Sequence, residues 1–439
     1  MTTPRFSTWL AWLAAAVRLV TGASLVALAL LATGAEVAFA QSKTTIEVLY
    51  PYPSLFKALH EELAKRFQAE HPQIEIRYRA PAEHYEDATQ QMLRAAVAGN
   101  MPDVAYHGLN RVRIFVERGV AMPLDSFINA ESDWAAQGHQ PESASLGEVG
   151  GKVYGLPFAI STAIVYYNPD LVARAGGDPE AFPKEWDAIV ELSRKIQTLG
   201  GGVTGGWIDY GITGNWMFQS LVFADGGRMM DSAEQRIAFD RAEGLRALKV
   251  LQGFAEAGMP DLANAQALAA FAAGKLGILV TSTAYLGAVQ NQVGEHFKVR
   301  TAAFPVTNQK GRLPAGGNVV MVFAKDPQKQ KAAWQYVKFV TGPVAQTLMV
   351  QHTGYMPSNR IAIEGPEHLA DFYRRNPNHM TSIRQLPRMT GWYAFPGRNA
   401  LKVTDVIKDH MQTVVTRQAT AEQALAAMSK DVRALLVEN

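Results

Sequence analysis

"GLPFAISTAIVYYNPDLVARAG", residues 155–176, decides how this chain is read. A Gly-Leu-Pro opening leads into an apolar, β-branched run with Ser161 and Thr162 at its centre, and helix signals begin only after Pro169, whose fixed φ suits a first helical turn. The stretch therefore reads as a buried strand followed by a helix, with two hydroxyls in the middle and no recognisable nucleophile, metal cluster or phosphate loop. The same alternation continues on both sides. "TTIEVLY" (44–50) is a strand, followed by a helix in which Leu55, Phe56, Leu59, Leu63 and Phe67 recur at helical spacing before Pro72. Ser54 reads as the N-cap of that helix. A strand at 74–80, a helix at 85–99 closed by Gly99 and a strand at 102–107 repeat the pattern. Further on, helices are expected at 184–198, 241–257 and 264–273, and a strand at 276–282. A strand entered through a Gly pair lies within 313–326, and two helices follow, broken at Gly342-Pro343. The segment 366–439 is helix-rich, with a capping signal in "TAEQAL". Strands alternating with helices predict an α/β protein whose ligands sit beyond the carboxyl ends of its strands.

The chain has 439 residues, 48% hydrophobic and 19% charged, more than one compact core usually holds, so two domains are expected. Its first forty residues place Arg5 and Arg18 ahead of an apolar run and end in Ala38-Phe39-Ala40. That is the pattern of a cleaved secretory signal with Gln41 as the mature N-terminus; the apolar run is short for a spanning anchor. Cysteine is absent, which excludes disulfides, a thiol nucleophile and thiolate zinc sites. Removing Arg5, Arg18 and Glu36 lowers the formal charge of +2 by one, a balance that gives nucleic acid or anionic membrane no electrostatic hold.

Catalytic signatures are missing. No G-x-S-x-G, H-E-x-x-H, Walker-type loop or G-x-G-x-x-G occurs. The Ser54-x-x-Lys57 spacing lacks the companions of a serine acyl-enzyme, "HEEL" (60–63) lacks a second histidine, and the ten His residues are scattered without ligand spacing. No catalytic residue, metal site or cofactor is therefore expected. What remains are polar and aromatic groups in short Gly, Ser/Thr or aromatic contexts: Tyr85, His107, Ser161, Trp216, Ser282, Gly316, Gly317, Tyr355 and Arg398. Concave ligand sites use such groups, a few placed polar atoms among aromatic walls.

The ordered series "VYGLPFAISTAIVYYNPDLVARAG", "FAAGKLGILVTS", "AGGNVVMVF", "FVTGPVAQTLMVQHTGYMPSN" and "TAEQAL" resembles the periplasmic solute-binding proteins of ABC importers, extracellular family 1, and within it the glycerol-3-phosphate-binding branch. The likeness spans Thr44 to about Leu435. It implies a two-lobed periplasmic binding protein fold of type II, with a ligand cleft between hinged lobes. The resemblance divides the chain into a signal (1–40), an N-terminal lobe (41–155 plus 315–360) and a C-terminal lobe (156–314 plus 361–439). It implies that Ser161 donates to ligand, Tyr85 follows the second strand, Trp216 forms an aromatic wall and Ser282 supplies a hydroxyl. Gly316-Gly317 would let the backbone approach the ligand, Tyr355 would close the ring, and Arg398 would grip a phosphate through its planar fork. Where the phosphate binder has a carboxylate after the third strand this chain has "AYHGLN", so His107 or its neighbour takes that place. The implied partners are a small solute, glycerol-3-phosphate or a glycerophosphodiester, and the inner-membrane ABC permease; the protein would be a periplasmic monomer. A neutral or acidic saccharide stacking on Trp216 and Trp392 is the alternative ligand. A secreted hydrolase is the alternative from another class.

Overall fold

The computed structural model describes residues 43–139 and 141–437, so the expected signal peptide lies outside the described residues. Strands β1 (Thr44–Leu49), β2 (Ile74–Tyr78) and β3 (Val104–Gly108) are parallel, joined by helices α1 (Pro53–Glu70) and α2 (Tyr85–Ala98). After the short helix α3 (Val112–Glu117) the chain enters β4 (Gly155–Ser161), passes Thr162 and continues at once as β5 (Ala163–Tyr167). The two strands belong to different sheets. The decisive stretch of sequence is thus a crossing between lobes.

The second lobe continues through α4 (Trp186–Gln197), β6 (Thr204–Ile208), α5 (Trp216–Ala224), α6 (Ala242–Glu256), α7 (Asn264–Ala272), β7 (Leu276–Ser282) and β8 (Arg300–Ala303). Its sheet has the order β8-β5-β7-β6. The chain then returns as β9 (Gly316–Val322), inserted antiparallel between β3 and β4, and completes the first sheet as β2-β1-β3-β9-β4. Helices α8 (Pro327–Thr341) and α9 (Pro343–His352) cover this sheet together with α1. A last passage pairs Met389–Thr390 with Leu313–Pro314 before α10 (Ala400–Val415) and α11 (Ala421–Val437) pack on α6. Among the described residues, no helix is long and apolar enough to cross a membrane.

Two buried clusters hold the molecule: one lies in the first lobe, and the other is centred in the second and takes in Leu49, Phe115 and Met321 of the first. Ile46, Val48, Phe56, Leu59, Leu63, Phe67, Val320 and Tyr336 are buried in the first; Ile164, Tyr166, Leu248, Leu251, Phe254, Ile278 and Val280 in the second. Strands covered on both faces read as continuous apolar runs, which is why β4, β5 and β7 lacked clean alternation in sequence.

Three boundaries differ from the sequence reading. Strand β4, expected at the start of the second lobe, is hydrogen-bonded into the first sheet through β9, and the hand-over comes after Ser161. Helices Arg360–Glu364 and Ala370–Arg375, also expected in the second lobe, bury Ala362, Leu369 and Tyr373 in the first core. Helix α1 begins at Pro53 and not after a Ser54 cap; Tyr52 takes a left-handed φ of 57° and the proline supplies the first turn. The box in "TAEQAL" does form, with Thr420 and Gln423 exchanging backbone-to-side-chain bonds.

The register of β9 rests on one glycine. Gly317 has φ +107°, and a Cβ there would sit 1.9 Å from the carbonyl oxygen of Ala159. Gly99 closes α2 at φ +70° with nothing within 4 Å of its would-be Cβ. Gly99→Ala is expected to lose about 1 kcal/mol of stability through its backbone conformation alone, and Gly317→Ala at least 3 kcal/mol because backbone must also move. Paired urea or thermal melts check this; equal losses would mean that β9 is free to shift.

Candidate functional site

Seven of the nine residues singled out in the sequence line one cavity between the lobes: Tyr85, Ser161, Trp216, Ser282, Gly316, Gly317 and Tyr355. They converge because strand ends meet there. Ser161 ends β4 and faces Gly316 at the start of β9, while Ser282 ends β7 opposite Ala163 of β5. Glycine is required at 316, where a Cβ would lie 2.6 Å from Ser161 Oγ and 2.8 Å from the Trp216 ring. Trp216 opens α5 and donates from Nε1 to the Pro314 carbonyl at 3.2 Å, which fixes its indole across the crossing strands. Tyr166 holds the second serine by donating to the Ser282 carbonyl at 2.7 Å.

The cavity also takes in Tyr52, Leu55, Ile212, Thr213, Ala284, Tyr285 and Trp392. Of these only Trp392, a free-standing tryptophan in a Pro/Gly-rich stretch, carried a signal in the sequence. Its ring lies 6.2 Å from that of Trp216. Six aromatic side chains thus surround the space: Tyr52, Tyr85, Trp216, Tyr285, Tyr355 and Trp392. Burial pushes the Tyr355 hydroxyl up to about 12 and raises Tyr85 well above the usual phenol range, so both keep their protons at neutral pH. The cavity that remains is about 20 Å³, room for about one water.

Two expected residues do not reach this cavity. His107 is fully buried on the face of β3 that packs against Phe115 and Phe323, with both ring nitrogens unpartnered; burial, reinforced by Arg111, lowers its pKa to about 3. Strand alternation sends its side chain away from the cleft. Arg398 is exposed on the turn before α10 and is not part of the lining. The lining therefore holds no ionisable acid or base apart from its tyrosines.

Two polar devices position the cleft. Asp209, at the end of β6, accepts from Thr281 Oγ1 at 2.7 Å and Asn264 Nδ2 at 2.6 Å, and so anchors the loop that carries Ile212 and Thr213 to the cavity. Burial pushes its carboxyl up to about 6 against those bonds. At the rim, Arg113 of α3 donates to Glu234 of the second lobe at 2.8 Å and to Glu117 at 2.6 Å. Tyr393 donates to the same Glu234 at 2.9 Å. Glu234 is held in a left-handed conformation, φ 54°, and the bond from Arg113 lowers its pKa.

A model of the bacterial extracellular solute-binding proteins matches residues 52–347. The chain belongs to that family. Proteins of this family deliver small solutes to the permeases of ABC importers, and the chain is a solute-binding component of this kind. A binding protein of Brucella abortus is 25% identical over 391 residues, 86% of this chain and 89% of that one. The sn-glycerol-3-phosphate-binding periplasmic protein UgpB of Escherichia coli is 23% identical over 415 residues, 88% and 91% of the two chains. UgpB from Mycobacterium tuberculosis, solved in complex with glycerophosphocholine, matches with a TM-score of 0.80 at 23% identity, covering 90% of this chain and 99% of that one. The GacH receptor of Streptomyces glaucescens, solved unliganded and with acarbose, matches at 0.76 and 21% identity, with 90% and 99% covered. The fold is the two-lobed type II periplasmic binding protein fold.

Two predictions follow from the positioning groups. Glu234→Gln keeps the shape of the rim contact and removes its charge. Because both partners are partly exposed, the effect is modest: a ligand-free radius of gyration that rises in small-angle scattering, and affinity weaker by about two- to fivefold. An unchanged scattering curve would remove this pair from control of closure. For Asp209 the folded pKa lies above the unfolded one, so the folded state holds a proton that the unfolded chain releases. Stability then falls as pH rises from about 4 to about 6 and is level above that. Asp209→Asn is expected to remove this fall, as thermal melts across the window will show.

Proposed function

We propose that this solute-binding protein captures a net-neutral glycerophosphodiester, glycerophosphocholine first, in a periplasm it reaches through a cleaved signal, and passes it as a closed monomer to its permease without hydrolysing it. The observation that carries this reading is the character of the lining: six aromatic rings, three Ser/Thr hydroxyls and no charged side chain. Glycerol-3-phosphate itself fits less well. Two negative charges enclosed without a cation meet a desolvation penalty of several kcal/mol per ion, and Arg398, the group expected to balance them, stands outside the lining. A phosphodiester bearing a quaternary ammonium has no net charge, and its cationic head gains from aromatic faces by about 0.5–2 kcal/mol. The relatives named for glycerol-3-phosphate and the solved chain holding glycerophosphocholine support the ligand class.

Closure supplies the transport signal. Contacts from Ser161 and the Gly pair on the first lobe and from Trp216 and Ser282 on the second are made together only when the lobes meet, so ligand shifts the population toward the closed shape. One observation favours a second reading. Trp216 and Trp392 offer two indole faces in an uncharged cavity, a surface on which a neutral mono- or oligosaccharide stacks equally well.

Isothermal titration of residues 41–439 with glycerophosphocholine, glycerol-3-phosphate and maltose separates these ligands. One-to-one heat with glycerophosphocholine, at least tenfold tighter than with glycerol-3-phosphate, is expected. Heat with maltose alone would transfer the conclusion to the saccharide, and silence with all three would sink both readings. Trp216→Ala is expected to weaken whichever ligand binds by at least tenfold, since it deletes a wall of the cavity.

A further inference from the structure

We infer that Asn318, a residue outside the cavity, polarises the Tyr85 hydroxyl so that the cleft presents hydrogen-bond donors and grips its ligand through an acceptor-only group such as a phosphodiester. This rests on the reading of the cavity as the ligand site.

Asn318 sits on β9 with its backbone between Gly108 of β3 and Ala159 of β4, and it is 1% exposed. Its Nδ2 donates to the Tyr85 hydroxyl at 3.2 Å, while its Oδ1 is buried without a partner. A carboxamide nitrogen only donates. The Tyr85 oxygen is therefore an acceptor in this bond, and its own proton is directed elsewhere. Tyr85 itself lines the cavity, so the proton it does not share with Asn318 is available there. The polarity runs from Asn318 through Tyr85 toward the ligand.

Two other lining groups carry the same polarity. Trp392 Nε1 is buried and unpartnered, whereas Trp216 Nε1 is engaged by Pro314. Ser282 Oγ accepts from the Ala284 amide at 3.1 Å, which leaves its proton free as well. Against these three donors stands Thr213, whose proton is bonded to the Ile212 carbonyl. Donors fixed in advance around an enclosed space walled by aromatic rings stabilise an oxyanion without a cation. A sugar hydroxyl, which must also donate, finds fewer partners there.

The test combines a spectroscopic readout with affinities on the full mature chain. In protein labelled with nitrogen-15 at tryptophan, saturation with glycerophosphocholine is expected to move the Trp392 indole N–H resonance downfield and leave that of Trp216 nearly in place. Trp392→Phe and Tyr85→Phe each remove one donor and are expected to weaken glycerophosphocholine by about tenfold. Asn318→Asp, whose carboxylate only accepts, reverses the relay and is expected to weaken it by more than thirtyfold; if that variant does not fold, the two Phe variants and the indole shift decide alone. An unmoved Trp392 resonance, or Phe variants that bind within twofold of the parent, would overturn the inference. Those results require a parent protein that binds. A parent that binds none of the titrated solutes refutes instead the ligand reading on which the relay rests, so the two failures are distinguishable.

Discussion

The structure depends on the insertion of β9 between β3 and β4. Before that strand returns, the first sheet lacks its centre, because β4 reaches the parallel strands only through β9. The insertion is possible only where the backbone can pass Ala159 without a side chain, at Gly317, and where an indole can lie against the strand, at Gly316. The same two glycines that let the sheet close also open the ligand cavity. Fold and site share one steric constraint.

A second theme is how polarity is managed where charge is missing. The cleft lies between two cores and is lined by aromatic rings, so an unbalanced ion there would meet an apolar environment. Charged groups are instead placed at its edges: Asp209 anchors a loop through Thr281 and Asn264, and Arg113 with Glu234 and Tyr393 joins the lobes at the rim. What lines the cavity is a set of dipoles among aromatic rings. Such a site selects by the direction of its hydrogen bonds and by the shape of its walls, more than by net charge.

The comparison of sequence with structure follows the same logic. Seven residues of the cavity lining were singled out because each sits at a strand end or in a short Gly or aromatic context. His107 satisfied that rule equally well and failed, since position along a strand does not tell which face a side chain takes when both faces are buried. Arg398 failed because likeness to a family does not tell whether a turn residue faces the cleft or solvent, and here it is exposed. Tyr52, Ile212 and Tyr285 were invisible, being ordinary residues of loops and helix starts until the lobes bring them together.

The sequence by itself determined the alternation of strands and helices and the capping of α11, because these follow from local propensity and spacing; the two-lobe class and half of the cavity's residues were read through the family resemblance. Tertiary structure alone decided that β4 belongs to the first sheet, that the arginine stands outside the cavity lining and that Asn318 meets the Tyr85 hydroxyl. Those outcomes depend on contacts between residues more than one hundred positions apart, such as Asn318 with Tyr85 and Gly316 with Ser161, and no local pattern encodes which partner a buried group will meet.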